Sequence, residues 1–160
     1  MANYESFEPY YPHTVLQLSH ALAATQTFVR GNLVYIDSSG YLAECAYTAA
    51  TAPTAIYGVA AEDATNTTAT AAHLIKVGVY VITPGSVWSA RSDAATAQAD
   101  LGIDCEVKLD TSVWYVDKGA VTTNTAVNIV GFDPRDALTT TNGRYLVMFG
   151  RRHLQVTDTT

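Results

Sequence analysis

The sequence predicts an all-β fold, either a single-domain β-sandwich or a β-barrel. About eight to ten short segments rich in valine, isoleucine and aromatic residues follow one another along the chain. Residues with turn chemistry, mainly Gly, Pro, Asn, Asp and Ser, separate these segments at intervals of roughly 8 to 12 residues. The length of 160 residues suits one domain that can bury a sizeable core.

The most regular segment covers residues 75–81, in which Ile75, Val77, Val79 and Val81 alternate with Lys76, Gly78 and Tyr80. This period of two predicts a half-buried strand with Lys76 and Tyr80 facing outward. A second apolar run at residues 56–61 precedes it across a polar loop, and Pro84-Gly85 predicts a turn before a further strand at Val87-Trp88. These segments form a hairpin-like centre.

The strongest hairpin signal lies at residues 33–46, where Asp37-Ser38-Ser39-Gly40 separates two apolar runs. Further strands are predicted at residues 105–109, 112–116, 127–132 and 145–149. Asn142-Gly143 supplies the positive-φ turn before the last of them. Residues 14–24 fit either a strand or a short amphipathic helix.

One short helix is predicted near residues 93–101. Ser92 can act as its N-cap, Asp93 suits the positive end of the helix dipole, and Gly102 provides a left-handed stop. Between them alanine predominates.

The two ends of the chain differ from the body. Residues 1–25 are interpreted as an extended N-terminal arm, residues 26–150 as the β body, and residues 151–160 as a C-terminal tail that is mobile or bound to a partner. Aromatic residues around the prolines favour docking of the arm onto another chain, although it could also fold back onto its own domain. The candidate interface residues are Tyr4, Phe7, Tyr10, Tyr11, Arg151 and Arg152.

The composition excludes several partners. A net charge of −6 argues against nucleic acid, because phosphate binding requires a basic field. No apolar run approaches the length of about 20 residues that a membrane helix needs, and no signal peptide is recognisable, so a soluble protein made in the cytoplasm is expected. Only 15% of residues are charged, against about 25% in typical domains, which suits a surface that contacts other proteins or a merely threonine-rich β domain.

No residue pattern indicates catalysis, a cofactor, a metal or a small-molecule substrate. The four histidines (His13, His20, His73 and His153) lack metal-ligand spacing, and no nucleophile motif or phosphate loop is present. The acidic group Asp133-Pro134-Arg135-Asp136 is interpreted as a turn closed by a local salt bridge, with Glu62-Asp63 as a weaker cluster. Cys45 and Cys105 could form a disulfide between strands, but two buried free thiols are favoured.

Six stretches together resemble the capsid decoration (cement) proteins of tailed bacteriophages. In chain order they read FVRGNLVYIDSSGYL, IYGVAAEDA, VGVYVITPGSVWSA, DAATAQADLG, VNIVGFDPRDA and NGRYLVMF. The resemblance covers roughly residues 28–149. It implies a jelly-roll or tulip-like body, a homotrimer, and binding to the major capsid protein on the outer surface of the head, where the protein would bridge neighbouring subunits. No individual functional residue can be carried over from it.

The alternative is a receptor- or carbohydrate-binding β domain of a phage head or tail fibre. That function requires exposed aromatic residues beside a concave patch, and Trp88, Trp114 and Tyr115 are its candidates. An enzyme, such as a cupin-like or hydrolytic barrel, is disfavoured because the clustered histidines of such metal sites are missing.

Overall fold

The computed structural model describes residues 6–11, 14–46, 53, 55–67, 74–119 and 125–155. The strands within these ranges are β1 (Phe7–Pro9), β2 (Gln17–Ala21), β3 (Gln26–Phe28), β4 (Leu33–Ile36), β5 (Leu42–Glu44), β6 (Gly58–Ala60), β7 (Ala64–Asn66), β8 (Lys76–Val81), β9 (Val87–Arg91), β10 (Asp104–Asp110), β11 (Val113–Asp117), β12 (Val127–Phe132) and β13 (Arg144–Phe149).

These strands form two large antiparallel sheets and one small one, which confirms the predicted all-β fold. The six-stranded sheet has the order β1-β9-β13-β12-β10-β11, the five-stranded sheet β2-β8-β6-β4-β5, and the small sheet pairs β3 with β7. Both large sheets curl: a bridge between Ser92 and Val116 brings the ends of the first together, and one between Leu22 and Leu42 does so in the second.

The main core combines side chains of both large sheets. Its largest members from the six-stranded sheet are Phe7, Trp88, Trp114 and Tyr145, all fully buried. A second core lies on the other face of the five-stranded sheet, where Phe28 and Ala64 of the small sheet pack with Val34, Val77 and Val79. The five-stranded sheet is therefore covered on both faces, as in a layered sandwich.

Strand β8 occupies the predicted position, but its environment differs from the prediction. Val77, Val79 and Val81 are buried as expected, whereas Tyr80 packs partly buried against the main core instead of facing outward. The predicted pairing with the run at residues 56–61 is confirmed by the antiparallel pair β6–β8. The Pro84-Gly85 turn, with φ of 84° at Gly85, carries the chain from one large sheet to the other because β8 and β9 belong to different sheets.

The predicted hairpin of β4 and β5 is confirmed. The Asp37 carboxylate accepts hydrogen bonds from the backbone N–H groups of Ser39 and Tyr41 at 2.8 and 2.9 Å, and Gly40 adopts a φ of 83°. The turn before β13 likewise has a positive φ of 55° at Asn142. Residues 14–24, left open between strand and helix, contain strand β2.

The prediction of a helix near residues 93–101 is wrong. This segment contains only a three-residue 3₁₀ turn, Gln98–Asp100. Backbone N–H groups in the first half of the segment bond to residues that are distant in sequence: Asp93 donates to the Val116 carbonyl at 3.1 Å and Thr96 to the Thr140 carbonyl at 3.4 Å. Alanine propensity is worth only tenths of a kcal/mol per residue, so these tertiary bonds prevail.

Large parts of the predicted arm and tail belong to the folded body. Strands β1 and β2 pair with β9 and β8 respectively, and Phe7 is fully buried. At the other end, Leu154 packs in the main core, and the Gln155 side chain bonds to both the N–H and the carbonyl of Ile36 at 2.8 Å. Residues 1–5, 12–13 and 156–160 lie outside the described residues.

Candidate interaction surfaces

The acidic turn after β12 holds strand β1 in place. Asp133 is fully buried and accepts hydrogen bonds from Ser89 Oγ at 2.5 Å and from Arg135 Nε at 2.9 and 3.0 Å. The Arg135 guanidinium also forms an ion pair with Glu8 of β1. We call Glu8, Ser89, Asp133 and Arg135 the Asp133 cluster. The predicted local salt bridge is confirmed, and it extends to a third charged residue that sequence spacing did not reveal.

The Asp133 cluster is poorly suited to acid–base chemistry. Burial opposes ionisation of Asp133, but the hydrogen bonds from Arg135 and Ser89 outweigh it and lower its pKa to about 2. The carboxylate is therefore ionised throughout the neutral range and cannot exchange a proton there. A shallow depression of about 370 Å³ beside it is lined by Glu8, Pro9, Tyr10, Asp133, Pro134 and Arg135.

The other residues considered for chemistry do not converge. Glu62 accepts a bond from the Gly78 N–H and Asp63 one from the Arg30 N–H, so each supports a different segment. Cys45 and Cys105 are free and buried, as favoured, and burial raises the pKa of Cys105 to about 11, so that its thiol stays protonated. Within the described ranges no group of three or more His, Cys, Asp or Glu side chains could hold a metal ion.

The described histidines make hydrogen bonds inside the fold. His20 Nε2 lies 2.9 Å from the hydroxyl oxygen of Tyr57, and buried His153 has Nδ1 at 3.0 Å from the Pro53 carbonyl oxygen. His13 and His73 lie outside the described residues.

The candidate interface residues separate into three groups. Phe7 is a core residue in contact with the Phe149 ring, with 5.4 Å between centroids, so its assignment to an exposed interface is wrong. Tyr10, Tyr11, Arg151 and Arg152 remain at least partly exposed, although Arg152 donates to the Thr125 carbonyl at 3.0 Å. Tyr4 lies outside the described residues.

An aromatic and apolar surface occurs where the chain passes from β1 to β2. Tyr10 and Tyr11 pack edge to face with 4.7 Å between ring centroids, and Tyr11 is 58% exposed. Leu16, 54% exposed, completes what we call the crossover surface. The Pro84-Gly85 turn lies at the same end of the sandwich, because the Tyr10 N–H donates to the Val87 carbonyl and the Leu16 carbonyl accepts from the Val81 N–H.

Strand β2 forms a second exposed surface that sequence reasoning missed. Gln17, Leu18 and Ser19 are exposed, and the whole strand, QLSHA, carries no acidic or basic side chain apart from His20. Burial lowers the pKa of His20, which keeps it neutral at pH 7. One feature of the sequence could have indicated this surface. The segment has the length of a strand and contains polar residues but no Lys or Glu, and edge strands usually carry such a charge.

The aromatic residues proposed for carbohydrate binding do not form an exposed platform. Trp88 and Trp114 are fully buried, and their indole N–H groups bond to Ser86 Oγ at 2.8 Å and Glu44 Oε1 at 3.2 Å. Tyr115 alone is partly exposed, on strand β11. This contradicts the placement that the receptor-binding alternative requires.

Comparison with known proteins finds no matching family model, no matching curated protein and no matching solved structure. No helical segment in the described part of the chain has the length and hydropathy needed to cross a membrane.

Proposed function

We propose that this protein is a structural virion protein, without enzymatic activity, that binds the outer surface of a tailed-phage head. Its partner would be the major capsid protein, and it would stabilise the shell by bridging neighbouring capsid subunits. The observation that carries the proposal is the crossover surface, where Tyr10, Tyr11 and Leu16 present aromatic and apolar area on a folded body of low charge. The choice of the major capsid protein as the partner rests on the sequence resemblance to decoration proteins.

The chemistry of the crossover surface suits protein binding. Tyrosine is enriched among the residues that dominate interface energies, because it buries a large rigid ring and still offers a hydroxyl. A contact of this composition depends little on ionic strength, since ion pairs contribute little to it. The resemblance implies a homotrimer, and in any oligomer of this chain several simultaneous contacts would multiply the effective affinity.

The test is co-sedimentation of the purified protein with heads of the parent phage that lack decoration. The wild-type protein should saturate the heads at a fixed ratio to the major capsid subunit. The double variant Tyr10→Ser/Tyr11→Ser should bind at least about 30-fold more weakly, because loss of one interface hot spot costs about 2 kcal/mol or more. Tyr41→Ser, which removes a partly exposed tyrosine from the β4–β5 turn, is the matched control and should bind normally.

Two results would contradict the proposal. One is a wild-type protein that does not sediment with heads at any concentration. The other is equal binding by the double variant and the wild type, which would exclude the crossover surface as the contact. Deleting residues 1–12 would be a poor test, because it removes Phe7 from the core and Glu8 from the Asp133 cluster.

A further inference from the structure

Three of the four edges of the two large sheets are closed by other parts of the same chain. On β1, the outward N–H of Phe7 donates to the Gly31 carbonyl at 3.2 Å, and the next outward position is Pro9, which has no N–H. This edge offers no free donor to another strand.

The edges at β5 and β11 are closed in the same manner. On β5, Glu44 N–H donates to the Gln26 side chain at 3.0 Å, and the Leu42 carbonyl accepts from Ala23 at 2.8 Å. On β11, Trp114 N–H donates to Ser6 Oγ at 2.8 Å, and the Val116 carbonyl accepts from Asp93 at 3.1 Å. All these bonds are directed away from the neighbouring strand of the sheet.

Among the described residues, the fourth edge, on β2, is closed only at its last residues, where the bridge between Leu22 and Leu42 joins it to β5. The bonds from Val81 N–H to the Leu16 carbonyl and from Leu22 N–H to the Ile75 carbonyl, both 2.8 Å, set the register with β8. Because an antiparallel strand directs alternate residues toward each side, Leu18 and His20 face β8 with their backbone groups. The N–H and C=O groups of Gln17 and Ser19 therefore point away from the sheet, and no described residue bonds to them.

We propose that β2 pairs antiparallel with β2 of a second copy of this chain, about a two-fold axis at Leu18. Gln17 of each copy would then exchange backbone hydrogen bonds with Ser19 of the other. Leu18 would lie directly opposite the partner's Leu18 in a non-hydrogen-bonded pair, the position where opposing side chains come closest. The two five-stranded sheets would become one continuous sheet.

A second copy is the occupant that best fits the charge of this edge. The chain has a net charge of −6, so two copies repel each other over most surfaces. Strand β2 contributes nothing to that repulsion, since none of its side chains is charged at neutral pH. The exposed Leu18, Leu74 (71% exposed) and Ile75 (36% exposed) lie along or at the end of the same strand pair and extend its apolar area. A two-fold interface also requires only one self-complementary surface.

Cysteine cross-linking tests the register directly. Leu18→Cys should form an intermolecular disulfide under mild oxidation at least about tenfold faster than a control, because pairing holds the two thiols together. Leu138→Cys and Leu101→Cys are matched controls, since these leucines are 44% and 48% exposed on other parts of the surface. Native Cys45 and Cys105 are buried and should not interfere. Equal rates for the three variants would overturn the proposal.

The oligomeric state, measured by light scattering after size-exclusion chromatography, gives a second test that needs no capsid. The wild-type protein should be a dimer, and Ser19→Pro should be a monomer with an unchanged circular dichroism spectrum. Proline at this position removes an outward N–H but no bond to β8. Leu18→Lys and Leu18→Glu should each be monomeric alone and should form a heterodimer when mixed.

A wild-type monomer at the highest soluble concentration, or a trimer that Ser19→Pro leaves intact, would refute the pairing. Neither result bears on head binding by the crossover surface, so this inference and the proposed function can fail separately.

Discussion

Strands β1 and β2 are both edge strands near the start of the chain, yet the rest of the molecule treats them differently. Strand β1 is only three residues long but contributes Phe7 to the main core and Glu8 to the Asp133 cluster. Strand β2 is longer, and its residues Gln17, Leu18 and Ser19 are exposed. The length of an edge strand therefore does not determine how tightly that strand is held in the sheet. Side-chain burial and closure of the outward backbone groups do.

The first two strands also show two different uses of an N-terminal segment. The aromatic and proline-rich start of the chain has the composition of an arm that docks onto a partner, and part of it is instead a core element. The strand with a less conspicuous sequence, QLSHA, presents the open edge. Edge strands of natural sheets usually carry a charge, a proline or a cover that prevents further pairing, and β1 has all three in Glu8, Pro9 and Gly31.

The largest effect is expected from Phe7→Ala. Removing a fully buried aromatic ring leaves a cavity against Phe149 and should lower the free energy of unfolding by about 3–5 kcal/mol. Urea denaturation monitored by tryptophan fluorescence would measure it. Tyr11→Ala, in the same segment but exposed, is the control and should change stability by less than about 0.5 kcal/mol. Similar values for the two variants would mean that β1 is not held by its core contact.

A smaller effect is expected from Arg135→Met. The variant leaves the buried Asp133 carboxylate without its ion pair, which should cost about 2 kcal/mol after allowance for the half-exposed position of Arg135. Arg144→Met provides the control. Its partner Asp136 is partly exposed, so the cost should stay below about 1 kcal/mol.

The pH dependence of stability in Arg135→Met identifies the group that causes the loss of stability. The pKa of Asp133 is lowered to about 2 in the folded protein, against about 3.9 for an unperturbed aspartate. Its stabilising contribution is therefore complete above about pH 4 and is lost as the pH falls toward 2. Denaturation curves between pH 5 and 2 should show the difference between wild type and Arg135→Met shrinking in that interval. A difference that is constant with pH would exclude Asp133 as the cause.

Local sequence patterns predicted the elements whose stability is local. The alternation around Val77 and Val79 and the Asp37 turn depend on residues close in sequence, and both were placed correctly. The helix near residues 93–101 failed because Asp93 and Thr96 bond to residues that are distant in sequence. Strands β3 and β7 were also missed, since three residues are too few to show a period.

The candidate surfaces depend on long-range register, which composition does not encode. Glu8 meets Arg135 only because β1 pairs with β9, and nothing in either segment indicates the other. Whether the Ser19 N–H faces outward likewise depends on the pairing of β2 with β8, because a shift by one residue would exchange the inward and outward sets. The sequence could show that β2 is uncharged, but not that it is an edge.

The smallest effect is expected from Leu18→Thr at protein concentrations low enough to keep the chain monomeric. Leu18 is 39% exposed on an edge strand, and threonine has the β-branched shape that strands favour, so the free energy of unfolding should change by less than about 0.5 kcal/mol. Leu138→Thr, at 44% exposure on a different part of the surface, should behave in the same way and serves as the control. This result contrasts with the one expected for Phe7→Ala. Strand β1 contributes Phe7 to the core, whereas the apolar side chain of Leu18 on β2 is not required for the stability of the monomer. A loss of more than about 1 kcal/mol for Leu18→Thr alone would show that β2 is anchored within the monomer after all, and Leu18 would then be a stabilising residue of the fold rather than part of an open edge.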